Sequence, residues 1–333
     1  MSKRKMNNSD DPIDYFKIED YKITNIDSFL NMIIDLENKA EPPRKIRNKL
    51  PTNIYKLIDI LEPLIKLNNL IGMTKLKEQL LEQLLYFIQG HDDIIMLHTV
   101  IEGPPGTGKT TVANLMAEIY SGMGILKKNK CTIIKRDDLI GQFLGETSIK
   151  TMAVLNRCKN GVVLIDEAYS LGSGSSSSTD SYAKEAIDCI NQFLTENVDK
   201  IICIIAGYKN ELDTCFFSQN PGLRRRFPWT FTIDDFTEKE LSEVTIKLIK
   251  ESDWETTCSS EEIEKFIKKD CFNGNGGDIE SVISRAKIIY SKVNFGKEND
   301  YILTFDILKE AFQKFCDTKK GQMSSPPPFM MYN

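Results

Sequence analysis

Residues 103–110 read Gly103-Pro104-Pro105-Gly106-Thr107-Gly108-Lys109-Thr110, and this stretch constrains the chain more than any other. It follows the run Met96 to Ile101 and precedes a helical pattern in which Val112, Leu115, Met116 and Ile119 share one face. The spacing is G-x-x-x-x-G-K-[ST], and both flanks are right: a strand enters the loop and a helix leaves it. A chance match in a Gly/Pro-rich turn would lack those flanks. Glycines at 106 and 108 let backbone N–H groups turn inward and cradle anionic oxygens. The helix that begins at Lys109 points the positive end of its dipole at the same place. Lys109 supplies a point charge for β and γ phosphates, and Thr110, followed by Thr111, offers a hydroxyl to Mg²⁺.

The surrounding rhythm fits that loop. Short runs apolar on both faces, Cys131 to Ile134, Val162 to Ile165 and Ile201 to Ala206, alternate with helical patterns. Such runs suit strands buried inside a parallel sheet. The expectation is an α/β fold, with a parallel sheet flanked by helices over 68–235. Before it, 15–67 reads as a small helical region broken at Pro42-Pro43 and Pro51, with Ile54, Leu57, Ile58 and Leu61 at helical spacing. A longer amphipathic helix follows Gly72, with Leu76, Leu80, Leu84 and Phe87 on one face. After Phe236 the strands stop. Thr237/Glu240 and Ser259/Glu262 have capping-box spacing. Helices are expected near 238–252, 260–269, 278–293 and 305–317, making an all-helical lid over 236–318. Residues 1–14 and 319–333 read as disordered ends, and Ser173 to Ser178 as a flexible loop inside the α/β domain.

Val162-Val163-Leu164-Ile165-Asp166-Glu167 ends an apolar strand in two adjacent carboxylates. Two acids at a buried strand end are electrostatically poor without a cation nearby. Asp166 is the candidate for the Mg²⁺ shell, and Glu167 the candidate general base that polarises an attacking water. Taken with the glycine loop, the pair points to ATP, Mg²⁺ and hydrolysis.

Composition removes other classes. The formal net charge is −5, so the chain is not built to coat nucleic acid, and nucleic acid is an unlikely partner. Eight scattered cysteines and two histidines, His91 and His98, show no zinc-site spacing. They suit reduced thiols in a cytoplasmic, reducing compartment, with Cys189 and Cys203 among apolar neighbours. The basic, polar N-terminus does not read as a secretory signal, and no apolar run is long enough to span a bilayer.

Six blocks in order carry a family resemblance: Leu70-Ile71-Gly72-Met73, the loop at 103–110, Lys135 to Gly145, Leu164 to Tyr169, Ile205 to Lys209, and Asn220 to Phe227. Over roughly 68–318 the chain resembles the AAA+ ATPases, and more narrowly their CbbX/CfxQ/SpoVK-like branch. The resemblance implies a P-loop AAA+ domain with a helical lid, assembled as a homo-oligomer, a hexameric ring, that remodels a protein client. It implies that Ile71 and Gly72 contact adenine. It implies that Phe143 and Leu144 form a pore loop gripping the client. Phe143 as a plain core aromatic is the alternative, and flanking Gly141 and Gly145 favour an exposed loop. It implies that Arg226 or Arg224 is an arginine finger reaching a neighbour's ATP, with Arg226 preferred. Three successive arginines taken alone read as a solvated basic patch. At the first sensor position the chain has Tyr208. The second-sensor Arg is missing, Gly277 taking its place, and Arg285 lies two turns on. That departure keeps a rival open, an ATP-gated assembly scaffold with weak hydrolysis. A DNA-transaction loader is a third reading, disfavoured by the acidic balance.

Overall fold

A computed structural model describes residues 21–39, 52–89, 96–128, 130–143, 145–172 and 181–324. Leu144, His91, Ser173 to Ser178, the Pro42-Pro43 and Pro51 breaks and both expected disordered ends, apart from 319–324, lie outside the described residues.

Three helices come first: α1 Ile26–Lys39, α2 Thr52–Asp59 and α3 Leu61–Asn68. Their apolar faces, including Phe29, Ile33, Leu57, Leu64 and Leu67, are fully buried. They join one core with α4 (Thr74–Ile88), α5 (Lys109–Gly122) and one face of the sheet. The N-terminal helices are thus packed onto the α/β layer. In α4 the residues Leu76, Leu80 and Leu84 are fully buried, as their four-residue spacing requires, while Phe87 is only half-buried.

The sheet has five strands: β1 Thr99–Glu102, β2 Cys131–Ile134, β3 Val162–Ile165, β4 Ile202–Gly207 and β5 Trp229–Thr232, in the order β2-β3-β4-β1-β5. Every pairing is parallel. Crossover helices α6 (Arg136–Leu139), α7 (Glu146–Arg157) and α8 (Ser181–Glu196) follow β2 and β3. Strands β3 and β4 are buried along their whole length, which explains their unbroken apolar runs, and β1 is buried as fully although Thr99 and Glu102 are polar. β5 was not expected. It is an edge strand, half open to solvent, so Trp-Thr-Phe-Thr alternates instead of forming an apolar run.

The register aligns the carboxyl ends. Glu102 pairs with Gly207 on one side and Thr232 on the other, and Ile165 pairs with Ile205. The segments leaving β1, β3 and β4 therefore meet along one edge, the place where open parallel sheets hold ligands.

The lid contains α10 (Glu238–Glu251), α11 (Ser260–Glu264), α12 (Asn275–Val293) and α13 (Phe305–Ser324), a short α9 (Lys209–Glu211) having followed β4. Both capping boxes form. The Thr237 N–H donates to Glu240 Oε2 (2.7 Å) while the Glu240 N–H donates to Thr237 Oγ1 (3.2 Å), and Ser259 and Glu262 repeat the exchange. The lid is helical with one addition, a two-residue parallel bridge between β6 (Glu255–Thr256) and β7 (Ile302–Leu303). α13 also runs past 317, the expected end of this helix, and past the expected lid boundary at 318. Lys319 pairs with Asp278 of α12 at 3.1 Å and lies 5.5 Å from the Phe315 ring centre, so the extra turn has something to dock on. Residues 319–324 are therefore helical and not part of a disordered tail.

Candidate functional site

A cleft of about 620 Å³ opens where the sheet edge, the glycine loop and the lid meet. That size suits a nucleotide-scale ligand. Its walls come from Leu70, Ile71 and Met73, from the loop between Pro105 and Thr111, from Asp166, Glu167 and Tyr169, from Tyr208, and from lid helices α10 and α12.

Within the loop, Gly106 and Gly108 have φ of +69° and +85°, the left-handed region open to glycine. Gly103 and Pro104 do not line the cleft; they face a separate cavity of about 330 Å³. Gly103 is needed for a different reason, since a Cβ there would lie 2.7 Å from the Ile233 carbonyl oxygen. The Lys109 ammonium donates to the Gly103 (3.0 Å) and Pro104 (2.6 Å) carbonyls. Burial pulls its pKa below the usual lysine range, while the Asp166 and Glu167 carboxylates act in the opposite direction. An anion entering the loop would reverse that burial penalty.

Opposite Lys109 stands the acidic pair. Thr110 Oγ1 donates to Asp166 Oδ2 at 3.2 Å, and the Glu167 N–H donates to Asp166 Oδ1 at 3.0 Å. Hydroxyl and carboxylate, from residues 56 apart in sequence, thus form one oxygen-donor set. Hard oxygen donors of this kind fit magnesium. Glu167 is exposed to the cleft and holds a left-handed backbone, φ 52° and ψ 44°. Strain at a non-glycine residue is a feature that accumulates at functional positions.

Tyr208 lies at the end of β4 with its ring centre 5.3 Å from Lys109 Nζ. It stacks on Tyr169, with centroids 5.4 Å apart and planes 19° off parallel. Burial, followed by the neighbouring Glu167 carboxylate, pushes the Tyr169 hydroxyl above its ordinary pKa, so it stays a proton donor. In the sequence Tyr169 only closes the Leu164 to Tyr169 block; in the structure it is part of the cleft wall. Ile71 lines the cleft but Gly72 does not. Gly72 supports it with φ +68°, packed where a Cβ would meet Glu240 Oε1 at 2.6 Å. Lys77 holds the same segment by donating to the Asn68 and Leu70 carbonyls.

The arginines lie elsewhere. Arg224 is exposed, reaches Asp213 at 3.4 Å and stacks 4.5 Å above Phe217. Arg226 is half-buried, and its Nε has no hydrogen-bond partner among the described residues. Neither lines this chain's own cleft. Arg285 is turned toward α13, donating to Thr318 Oγ1 at 3.3 Å, so it does not supply a cation to the cleft. Phe143 is 67% exposed, at the tip of a turn where Glu146 Oε2 accepts from the Gln142 and Phe143 N–H groups. Its being a core aromatic is excluded. Cys203 is buried, whereas Cys189 is half-buried, and all eight cysteines are free. No cluster of His, Cys, Asp and Glu able to hold a metal occurs among the described residues, nor is any helix there long and apolar enough to cross a membrane.

Comparison with known proteins agrees with this geometry. The family described as "ATPase family associated with various cellular activities (AAA)" matches residues 99–233. The chain is 37% identical over 308 residues to the putative cfxQ-like protein R730 of Acanthamoeba polyphaga mimivirus, covering 88% of this chain and 75% of that one. It is 32% identical over 295 residues to the CfxQ homolog of Galdieria sulphuraria, covering 84% and 95%. Among solved structures, a Thermotoga maritima RuvB mutant superposes with a TM-score of 0.51 at 19% identity, covering 74% of this chain and 71% of that one, a likeness of fold. Loop, acidic pair, strand order and relatives agree: the chain belongs to the AAA ATPase family and is related to its CfxQ homologues.

Proposed function

We propose that this chain hydrolyses ATP and that turnover drives a homo-oligomeric ring, hexameric by analogy with the family, to remodel a protein client. The observation that carries the reading is the Thr110–Asp166 contact, which places a hydroxyl, a carboxylate, Lys109 and Glu167 around one cleft. We take 68–235 as the nucleotide-binding unit and 236–318 as the lid. The triphosphate lies along the loop from Pro105 to Thr111, with its adenine toward Leu70, Ile71 and Met73. Thr110 and Asp166 would hold Mg²⁺, which neutralises charge on the phosphates when bound. Glu167 takes a proton from the attacking water as its oxygen bonds to the γ phosphorus and the bond to the departing ADP breaks. Tyr169 and Tyr208 wall that side of the cleft. Because Arg226 and Arg224 lie outside their own cleft, either can serve a neighbour's. Phe143, exposed at its turn, and Leu144 would be the residues that contact a client.

A second reading, the assembly scaffold with weak hydrolysis, is favoured by Gly277, which leaves the lid without a second-sensor cation. ATP binding and turnover of the wild type and of Lys109→Ala separate the possibilities. The proposal expects magnesium-dependent turnover in the wild type and loss of ATP affinity in the variant. ATP-driven assembly without turnover selects the scaffold. Normal ATP binding by the variant refutes the assignment of the loop.

A further inference from the structure

Gly277 leaves a question of how the lid senses the phosphate loop, and the residue two positions earlier answers it. Asn275 is 1% exposed and sits at φ +49°, a left-handed conformation that Asn tolerates better than most residues. Its amide bonds three groups in two other segments at once. Nδ2 donates to the Pro105 carbonyl at 3.2 Å and to Asp235 Oδ1 at 2.9 Å, and Oδ1 accepts from the Phe236 N–H at 3.1 Å. One side chain of α12 thereby ties the lid to the segment joining the two units and to the glycine loop. The next residue adds a bond, as the Gly276 N–H donates to the Gly106 carbonyl at 3.1 Å. The approach is close: a Cβ on Gly276 would lie 2.8 Å from the Gly106 oxygen.

Two successive loop carbonyls, those of Pro105 and Gly106, are therefore held by the lid. In a trans peptide the C=O and the following N–H point in opposite directions. Holding these carbonyls turns the Gly106 and Thr107 N–H groups away from the lid. A cationic side chain would sense the phosphate itself; this lid grips the backbone that presents donors to the phosphate.

We propose that Asn275, together with Gly276, is the positioning element that couples the lid to the phosphate loop at the segment where Gly277 stands for the second-sensor arginine. The inference rests on the ATPase reading and deepens it. Hydrolysis depends on alignment far more steeply than binding does, since a displacement of about 1 Å can cost about 100-fold in rate. Asn275→Ala is therefore expected to lower kcat at least about tenfold, with KM for ATP changing less than about threefold.

A purely structural role for Asn275 would act through Asp235 and Phe236. The double variant Asn275→Asp with Asp235→Asn separates the two roles. It reverses the donor between 275 and 235 and keeps the acceptor for the Phe236 N–H, but sets a carboxylate oxygen against the Pro105 carbonyl in place of its donor. It is expected to melt closer to the wild type than Asn275→Ala does, while kcat stays depressed. Gly276→Ala, which adds a helix-favouring residue but forces α12 off the Gly106 oxygen, is expected to depress kcat as well. Recovery of kcat in the double variant, or unchanged kcat in Asn275→Ala or Gly276→Ala, overturns the proposal. Amide hydrogen exchange on the nucleotide-free protein distinguishes its failure from that of the ATPase reading. A protected Gly276 amide that loses protection in Asn275→Ala supports the latch even if the wild type does not turn over ATP. A Gly276 amide unprotected in the wild type refutes it.

Discussion

Glu167 offers a test in which fold and chemistry move in opposite directions. At φ 52° and ψ 44° it occupies a left-handed conformation that costs an L-residue ~1–2 kcal/mol. Glycine pays no such cost but gives the unfolded chain ~0.5–1 kcal/mol of extra freedom. The difference predicts that Glu167→Gly leaves the protein about 0.5–1 kcal/mol more stable, or about 1 °C higher in Tm. Turnover should fall about 10²–10⁴-fold, the usual contribution of a positioned general base. Glu167→Gln keeps the strained backbone and the side-chain shape, so its stability should match the wild type while its turnover falls as far. Both variants should still bind ATP, because the loop and Lys109 are untouched. Thermal melts, nucleotide titration and phosphate-release kinetics on the three proteins read all of this. Turnover of Glu167→Gln within about tenfold of wild type would remove the base assignment. A Glu167→Gly protein destabilised by about 1 kcal/mol or more would mean that the carboxylate holds the fold together, against the reasoning from strain.

Arg226→Ala is expected to lose about 10³-fold or more in turnover, and mixing it with Glu167→Gln should restore part of the activity, since each variant keeps what the other lacks; mixing without recovery argues against a finger acting across subunits. Phe143→Ala should retain basal turnover and Tm, because a residue 67% exposed packs against little, yet lose client remodelling; unchanged remodelling places Phe143 on an idle surface. His98 is fully buried, its Nδ1 accepting from the Cys203 N–H, and burial depresses its pKa from 6.5 to about 4. Between those values the unfolded chain binds a proton that the folded chain refuses. Stability is therefore full above pH about 6.5 and falls by about 3 kcal/mol as the pH drops to about 4. Urea unfolding across that window should show a shallower pH dependence in His98→Asn, and equal slopes would reassign the acid sensitivity to other groups.

What the amino-acid order determined by itself was local. The glycine loop is eight consecutive residues, and its strand and helix adjoin it. The buried strands announced themselves because water touches neither face, and the capping boxes because their two partners are three residues apart. Even Asp166 and Glu167 could be singled out, since an acidic pair ending an apolar run needs a cation to be tolerable. What only the tertiary structure decided was which distant groups meet. β5 escaped notice because an edge strand need not be apolar. The stacking of Tyr169 on Tyr208, the turning of Arg285 toward Thr318, and the grip of Asn275 on Pro105, 170 residues away, leave no periodic trace. A hydrogen bond between remote segments selects a residue for geometry that the backbone creates only once it has folded, so its signature is a single Asn in a turn.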